Sequence, residues 1–221
     1  MANELHVETL ALREQFDDSA QQKDASTLGM WVFLITEVMF FGGMFLAYTV
    51  YRNAYPNAFA VASSSLNEII GAFNTAILLC SSFTMVLAVR AAQLGQRRAI
   101  MVFLVLTLIL GIAFLGIKGF EWNQKFQEHH IPGPSFHLDG TPMQGQAQLF
   151  FSLYFCMTGL HALHMIVGVG LLSFLLYKTY RGTYSAEYMT PIDITGLYWH
   201  FVDIIWIFLF PLLYLIDRHL G

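Results

Sequence analysis

Ionisable side chains set inside apolar stretches are where this sequence can do chemistry. Five stand out: Glu37 in WVFLITEVMFFGGMFLAYTVY, His161 and His164 in TGLHALHMIVG, and His200 and Asp203 in YWHFVDIIW. A charged group at the centre of a membrane helix costs about 2.5–3.5 kcal/mol on insertion scales, so each of these needs polar company. Carboxyl and imidazole groups are also the side chains that most readily carry protons in catalysis and transport. His161 with His164, and His200 with Asp203, are spaced i,i+3, which puts each pair on one helix face. Together they read as a buried polar cluster, either proton-related or structural. The plain alternative is that each is a satisfied packing group that only fixes helix register.

Ligation is the other chemistry on offer. A bis-histidine haem needs imidazoles from facing helices. His161 or His164 opposite His200 would supply one such pair, but no helix carries the well-separated histidines that two stacked haems require. His129, His130 and His137 share a polar loop without the tight spacing of a metal site and read as solvated. Cys80 and Cys156 fall in separate apolar runs, which argues against a disulfide framework, a zinc site or a copper centre built on paired cysteines. There is no Walker A loop, dinucleotide fingerprint, nucleophile elbow or HExxH. The expectation is a chain with no cofactor, metal or catalytic residue of its own. A helper subunit or proton-handling element fits that description, and a stand-alone proton or ion transporter is the alternative.

The elements that hold these residues follow from composition. Charged residues are 12% of 221, against about 25% in a typical soluble domain. Hydrophobic residues reach 56%, mean hydropathy is +0.55, and Phe occurs 20 times. A soluble surface cannot be built from that stock. The net charge of -4 leaves no basic patch for nucleic acid. Apolar runs at 28–51, 69–89, 99–117, 149–177 and 197–216 are each long enough, at 1.5 Å per residue, to cross a hydrocarbon core of about 30 Å. They are too long and too little alternating for outer-membrane strands. The fold class expected is all-α, an integral membrane bundle of five transmembrane helices over about 27–52, 67–91, 98–121, 146–178 and 196–217. Residues 27–221 then form a single membrane domain behind a polar, acidic cytoplasmic tail at 1–26. That tail has no apolar h-region and reads as helical or disordered, not as a signal peptide.

Orientation follows from Lys and Arg. Arg13, Lys23, Arg90, Arg97, Arg98, Lys178 and Arg181 fall on one side, and Arg52, Lys118, Lys125 and Arg218 on the other. The expectation is an amino terminus inside and a carboxyl terminus outside. Glu37 then lies about 15 Å and Asp203 about 10 Å from the inner face, with His161 and His164 about 19–24 Å from the outer one. All therefore occupy one slab of the bilayer. Lys118 and Glu121 are expected at the outer interface. Trp31, Trp122 and Trp199 are expected near helix ends as interfacial anchors, and Gly42, Gly43, Gly159, Gly168 and Gly170 as points of close helix approach.

At this point the motifs become recognisable. LGMWVFLITEVMFFGGMF with Glu37, AFNTAILLCSS with Asn74 and Thr75, GFEW with Glu121, TGLHALHMIVG with its two histidines, and YWHFVDIIWIFLF with Trp199 occur in that order. The chain resembles subunit III of the haem-copper oxidases, the cytochrome c oxidase subunit III family, and is closest to its short five-helix bacterial form. The resemblance covers almost everything from Thr27 onward. It implies an accessory subunit of a proton-translocating respiratory oxidase that reduces oxygen to water. Haem and copper are then in partner subunits and none is in this chain. The implied partners are the catalytic subunit I, subunit II, a small subunit IV and membrane lipids including structural phospholipid. The implied location is the bacterial inner (plasma) membrane, multi-pass, and Glu37 matches the family's reactive buried carboxylate. Cytochrome c is the first reading for the electron donor. A quinol oxidase or a nitric oxide reductase-associated homologue is the alternative. The two helices that precede the shared five in the longer form are missing, which leaves the lipid-holding cleft between the two bundles without one wall unless another subunit supplies it.

Overall fold

The computed structural model describes residues 15–134, 136–138, 142–182, 184 and 189–215. Among them are six helices: α1 Ser19–Ala54, α2 Pro56–Ser64, α3 Glu68–Gln93, α4 Arg97–Gln127, α5 Gln144–Tyr180 and α6 Thr190–Tyr214. All but α2 are long and apolar enough to cross a membrane. The all-helical membrane bundle expected from hydropathy is therefore present.

Helix ends differ from the expected ones for local reasons. α1 starts at Ser19, well inside the polar segment, because Asp18 caps it by accepting the Gln21 N–H at 2.6 Å. Residues 1–14 lie outside the described residues. α6 starts at Thr190, with Pro191 in its first turn, where a missing N–H costs nothing. The expected end of this helix at 217 also lies outside the described residues. α4 runs on to Gln127. Its buried face reads Ile100, Leu104, Thr107, Gly111, Phe114, Lys118, Glu121, Lys125, an unbroken alternation of four and three. Hydropathy sees the charges and stops, whereas the helical period continues through them. α2 was not expected. Pro56 opens it, and its small apolar residues Ala58, Ala60 and Ala62 flank a buried Phe59. Nine residues cannot span lipid, and so short a run gives no transmembrane signal.

The hairpin between α3 and α4 turns at Gly95, whose φ of 67° is the left-handed conformation that a side chain disfavours. Directly after it, Arg97 donates to the carbonyl of Thr179 at 2.9 Å and to that of Tyr180. This satisfies carbonyls at the end of α5 and fixes that end beside the α3–α4 turn.

α6 is the centre of the bundle: 56% of its most apolar stretch is buried, against 11% for α1. α3 packs on α4 and α6, α5 packs on α4 and α6, and α1 packs mainly on α6, less on α5 and α2. Trp199 is the keystone of the packing. The expectation of an interfacial anchor fails, because α6 begins nine residues earlier and carries Trp199 into the core with no exposure. Its ring lies where side chains on Gly111 and Gly168 would stand: a Cβ at either would sit 2.8 Å from it. Its indole N–H reaches the Ser81 hydroxyl at 3.1 Å. Gly42, Gly43 and Gly170 have open space where a Cβ would go, so the expected close approaches reduce to Gly168 and, more loosely, Gly159 beside Trp122.

The end of α6 is tied down by its neighbours. Pro211 lacks an N–H, and the last turn leaves carbonyls free. The Tyr48 hydroxyl donates to the Leu212 carbonyl at 2.8 Å, and the Ser63 hydroxyl to that of Leu213 at 2.7 Å. The short α2 thus has a purpose: it brings Ser63 to the end of α6.

Candidate functional site

Glu37 of α1 meets His164 of α5, with Oε2 3.2 Å from Nε2. The proton inventory of this contact follows from the other ring nitrogen. His164 Nδ1 lies 2.8 Å from the Leu160 carbonyl, which can only accept, so Nδ1 carries the hydrogen. In the neutral ring Nε2 is then a lone pair, and it stands within ion-pair distance of a Glu37 oxygen that has no hydrogen-bond partner among the described residues. A single proton on the pair can sit on the carboxyl or make an imidazolium against carboxylate. Both forms are neutral overall, which is what an apolar surrounding favours. Tyr198 of α6 braces the arrangement: its hydroxyl donates to the His164 carbonyl at 2.9 Å and its ring stacks on the imidazole. Phe41 packs edge-on from α1. The side chains keep 16% and 19% exposure, so the pair opens on the flank of the bundle instead of being sealed inside.

His161, one turn before His164, is sealed. Its ring packs edge-on to Phe114 of α4 and 5.1 Å from the Trp206 ring of α6. Neither ring nitrogen has a hydrogen-bond partner among the described residues. His161 and His164 line one small gap together with Phe41, Phe201, Val202 and Ile205.

The other expected pair is rearranged. His200 does not bond Asp203 directly; its Nδ1 lies 2.7 Å from the Ser82 hydroxyl of α3. The buried Asp203 carboxyl sits beside the same hydroxyl, outside hydrogen-bonding geometry. The i,i+3 spacing does bring both to one face, and α3 inserts Ser82 there. The five residues thus form two groups: Glu37, His164 and His161 where α1, α5 and α6 meet, and His200 and Asp203 around Ser82 between α3 and α6. His200 also lines an apolar groove of about 460 Å³ between α1 and α6, walled by Leu34, Phe41, Phe45, Ile204 and Phe208.

The remaining motif residues are placed in the core. Asn74 is fully buried, and neither side-chain atom has a partner among the described residues. Thr75 donates to the Gly71 carbonyl and accepts the Trp206 indole N–H at 3.1 Å. Glu121 corrects an expectation. It and Lys118 are not interfacial but buried, at 1% and 2% exposure, with Lys118 Nζ 3.0 Å from Glu121 Oε2. The Tyr154 hydroxyl donates to Glu121 at 2.7 Å, and the Tyr214 hydroxyl bonds both charged groups. Lys118 also sits 4.7 Å above the Trp206 ring centroid. The reason is the α4 period described above, which turns both side chains toward α5 and α6.

Sequence reading missed Lys118, Tyr154, Tyr214 and Ser82 as members of polar groups. For the first three the available signal was the helical register; for Ser82 there was none. In the loop, His130 lies 3.1 Å from Glu128 and packs on Phe151. Cys80 and Cys156 are exposed on different helices. Among the described residues no three His, Cys, Asp or Glu side chains are grouped to hold a metal ion.

Fold and site together define a polytopic helical membrane protein with an acid–imidazole pair on its flank. The family model for cytochrome c oxidase subunit III matches residues 15–217, and the chain belongs to that family of haem-copper oxidase subunits. It is 30% identical over 213 residues to a cytochrome c oxidase subunit 3 of Thermostichus vulcanus, covering 96% of this chain and 98% of that one. It is likewise 30% identical over 189 residues to a quinol oxidase subunit 3 of Bacillus subtilis, covering 85% of each. A heme-copper oxidase subunit I+III of Aeropyrum pernix is 31% identical over 204 residues, which are 88% of this chain and 23% of that longer one.

Proposed function

We propose that this chain is a non-catalytic accessory subunit of a respiratory oxidase, docked on the catalytic subunit and supporting its proton supply. The observation that carries this reading is the Glu37–His164 pair, an acid and an imidazole 3.2 Å apart and suited to carry a proton on the bundle's flank, where a neighbouring subunit would pack. The relative in which subunits I and III form one polypeptide supports direct packing of this chain on a subunit I. A subunit II, with a small subunit IV, completes the proposed complex, and haem and copper belong to the partners. Cytochrome c is the proposed electron donor, on the strength of the near full-length similarity to a subunit so named; the quinol oxidase relative supports quinol as the second reading. The Lys/Arg distribution supports an amino terminus on the cytoplasmic side of a bacterial plasma membrane. The groove beside His200, apolar apart from that imidazole, suits one acyl chain of a structural phospholipid.

An affinity tag on this chain tests the assignment. A haem-bearing catalytic subunit should co-purify with it, and the chain released from the complex should be colourless. A chain purified alone that retains a haem spectrum, or that carries protons across liposomes unaided, would replace this reading with a redox or transporter one.

A further inference from the structure

We propose that Tyr198 of α6 is a positioning residue for the Glu37–His164 pair: it sets the separation of acid and imidazole, and with it the pair's affinity for a proton. Glu37 does not set that separation itself. Its Oε2, 3.2 Å from His164 Nε2, has no hydrogen-bond partner among the described residues, and its helix α1 is the least enclosed of the five spans. An acid on such a helix stands where packing puts it.

Tyr198, buried at 4% exposure, supplies that packing on both sides of the pair. Toward α5 its hydroxyl donates to the His164 carbonyl at 2.9 Å, and its ring stacks on the imidazole with centroids 6.5 Å apart. Toward α1 the same ring lies 6.1 Å from that of Phe33, one helical turn before Glu37. Phe41, one turn after Glu37, completes the clamp. It meets the His164 ring at 5.4 Å and the ring of Phe201, also on α6, at 6.3 Å. The acid is thus flanked along α1 by two rings, each seated on an aromatic of α6.

Room for this brace comes from Gly168. In the helix its N–H bonds the His164 carbonyl, and the second lone pair of that oxygen takes the Tyr198 hydroxyl. A Cβ on Gly168 would stand 3.3 Å from the Tyr198 ring, so a side chain there would crowd the tyrosine away from the carbonyl. The imidazole is tied to its own helix by Nδ1 on the Leu160 carbonyl. Backbone and ring of His164 are both held, and Nε2 is left for the acid. Separation governs proton affinity because the attraction between carboxylate and imidazolium weakens with distance, and it counts for more where water is scarce.

This inference rests on the proton-carrying role proposed for Glu37, but its test reads the Glu37 carboxyl and not turnover, so role and positioning fail separately. In the assembled oxidase, the infrared bands lost on Glu37→Gln identify that carboxyl, and their interchange between acid and carboxylate with pH gives a midpoint. Tyr198→Phe keeps the ring and removes the hydroxyl. It should move the midpoint by about half a pH unit or more, roughly a threefold change in the proton equilibrium. Phe33→Leu loosens the brace from the α1 side; it should also move the midpoint, and it decides the matter if Tyr198→Phe does not assemble. Should the carboxyl keep one form at every pH at which the complex is intact, the position of its band takes the place of the midpoint and should shift in both variants. A tyrosine that only stabilises the bundle would lower the melting temperature and leave midpoint and band where they are. Wild-type midpoint and band position in both variants would overturn the proposal.

Discussion

In the Lys118–Glu121 pair a cation and a carboxylate are held inside the bundle by two tyrosine hydroxyls and the face of Trp206. Removing one member of such a pair strands the other charge away from water, so Glu121→Ala should lower stability by about 3–5 kcal/mol. Adding Lys118→Met to that variant should recover much of the loss, because the stranded ammonium goes with it. Thermal denaturation of the solubilised complex, followed through this subunit, checks both. The Ser82 hydroxyl carries a smaller share. Ser82→Ala leaves His200 Nδ1 unpaired and should lower stability by about 1–3 kcal/mol in the same measurement, whereas a partnership between His200 and Asp203 would leave it unchanged. At this level the sequence was informative about which groups are unusual and poor at pairing them. Glu37, His161, His164, His200 and Asp203 announce themselves because lipid excludes them. Their partners Ser82, Tyr198 and Leu160 look like ordinary membrane residues, and which helix presents them depends on packing angles that no local pattern encodes.

Among the helices, glycine positions separate packing from filler. A Cβ at Gly168 would stand 2.8 Å from the Trp199 ring and 3.3 Å from Tyr198, whereas Gly170, half a turn on, faces open space. Gly168→Ala should therefore destabilise the bundle by about 1–3 kcal/mol through forced displacement of Trp199. Gly170→Ala should be neutral or gain up to about 1 kcal/mol, since alanine is the better helix former. Melting temperatures of the two variants side by side test the assignment, and equal losses would contradict it. The spans of α1, α3, α4, α5 and α6 were legible because twenty apolar residues in a row have few other fates. Their ends were not. Asp18 starts α1 within a polar segment, and α4 runs through Lys118, Glu121 and Lys125 because its buried face tolerates paired charge. The interior position of Trp199 follows from the early start of α6, which hydropathy could not see past Asp193 and Thr195.

Taken whole, the bundle is asymmetric. α6 is enclosed by its neighbours, whereas α1 lies along one side with residues such as Leu28, Val38 and Met39 more than half exposed. The Glu37–His164 pair sits where that outlying helix meets the rest. Such a pair on the flank suits a subunit that completes a larger assembly, and the family match over residues 15–217 names the kind of assembly. Five ordered motifs made that kinship legible in the sequence before any coordinate was known. The meeting of Glu37 with His164 was not, because it depends on how α1 packs on α5 and on Nδ1 of His164 being committed to the Leu160 carbonyl.

The central claim is that a proton carried by the Glu37–His164 pair matters to the oxidase, and Glu37→Gln isolates it. The amide can donate to His164 Nε2 and so keep the contact, but it cannot take up or release the proton. Time-resolved proton uptake by the purified complex, together with the number of turnovers before inactivation, should show slower uptake or a shorter active lifetime with subunit composition unchanged. Wild-type uptake and wild-type lifetime in a fully assembled Glu37→Gln complex would contradict the claim and leave Glu37 and His164 as packing alone.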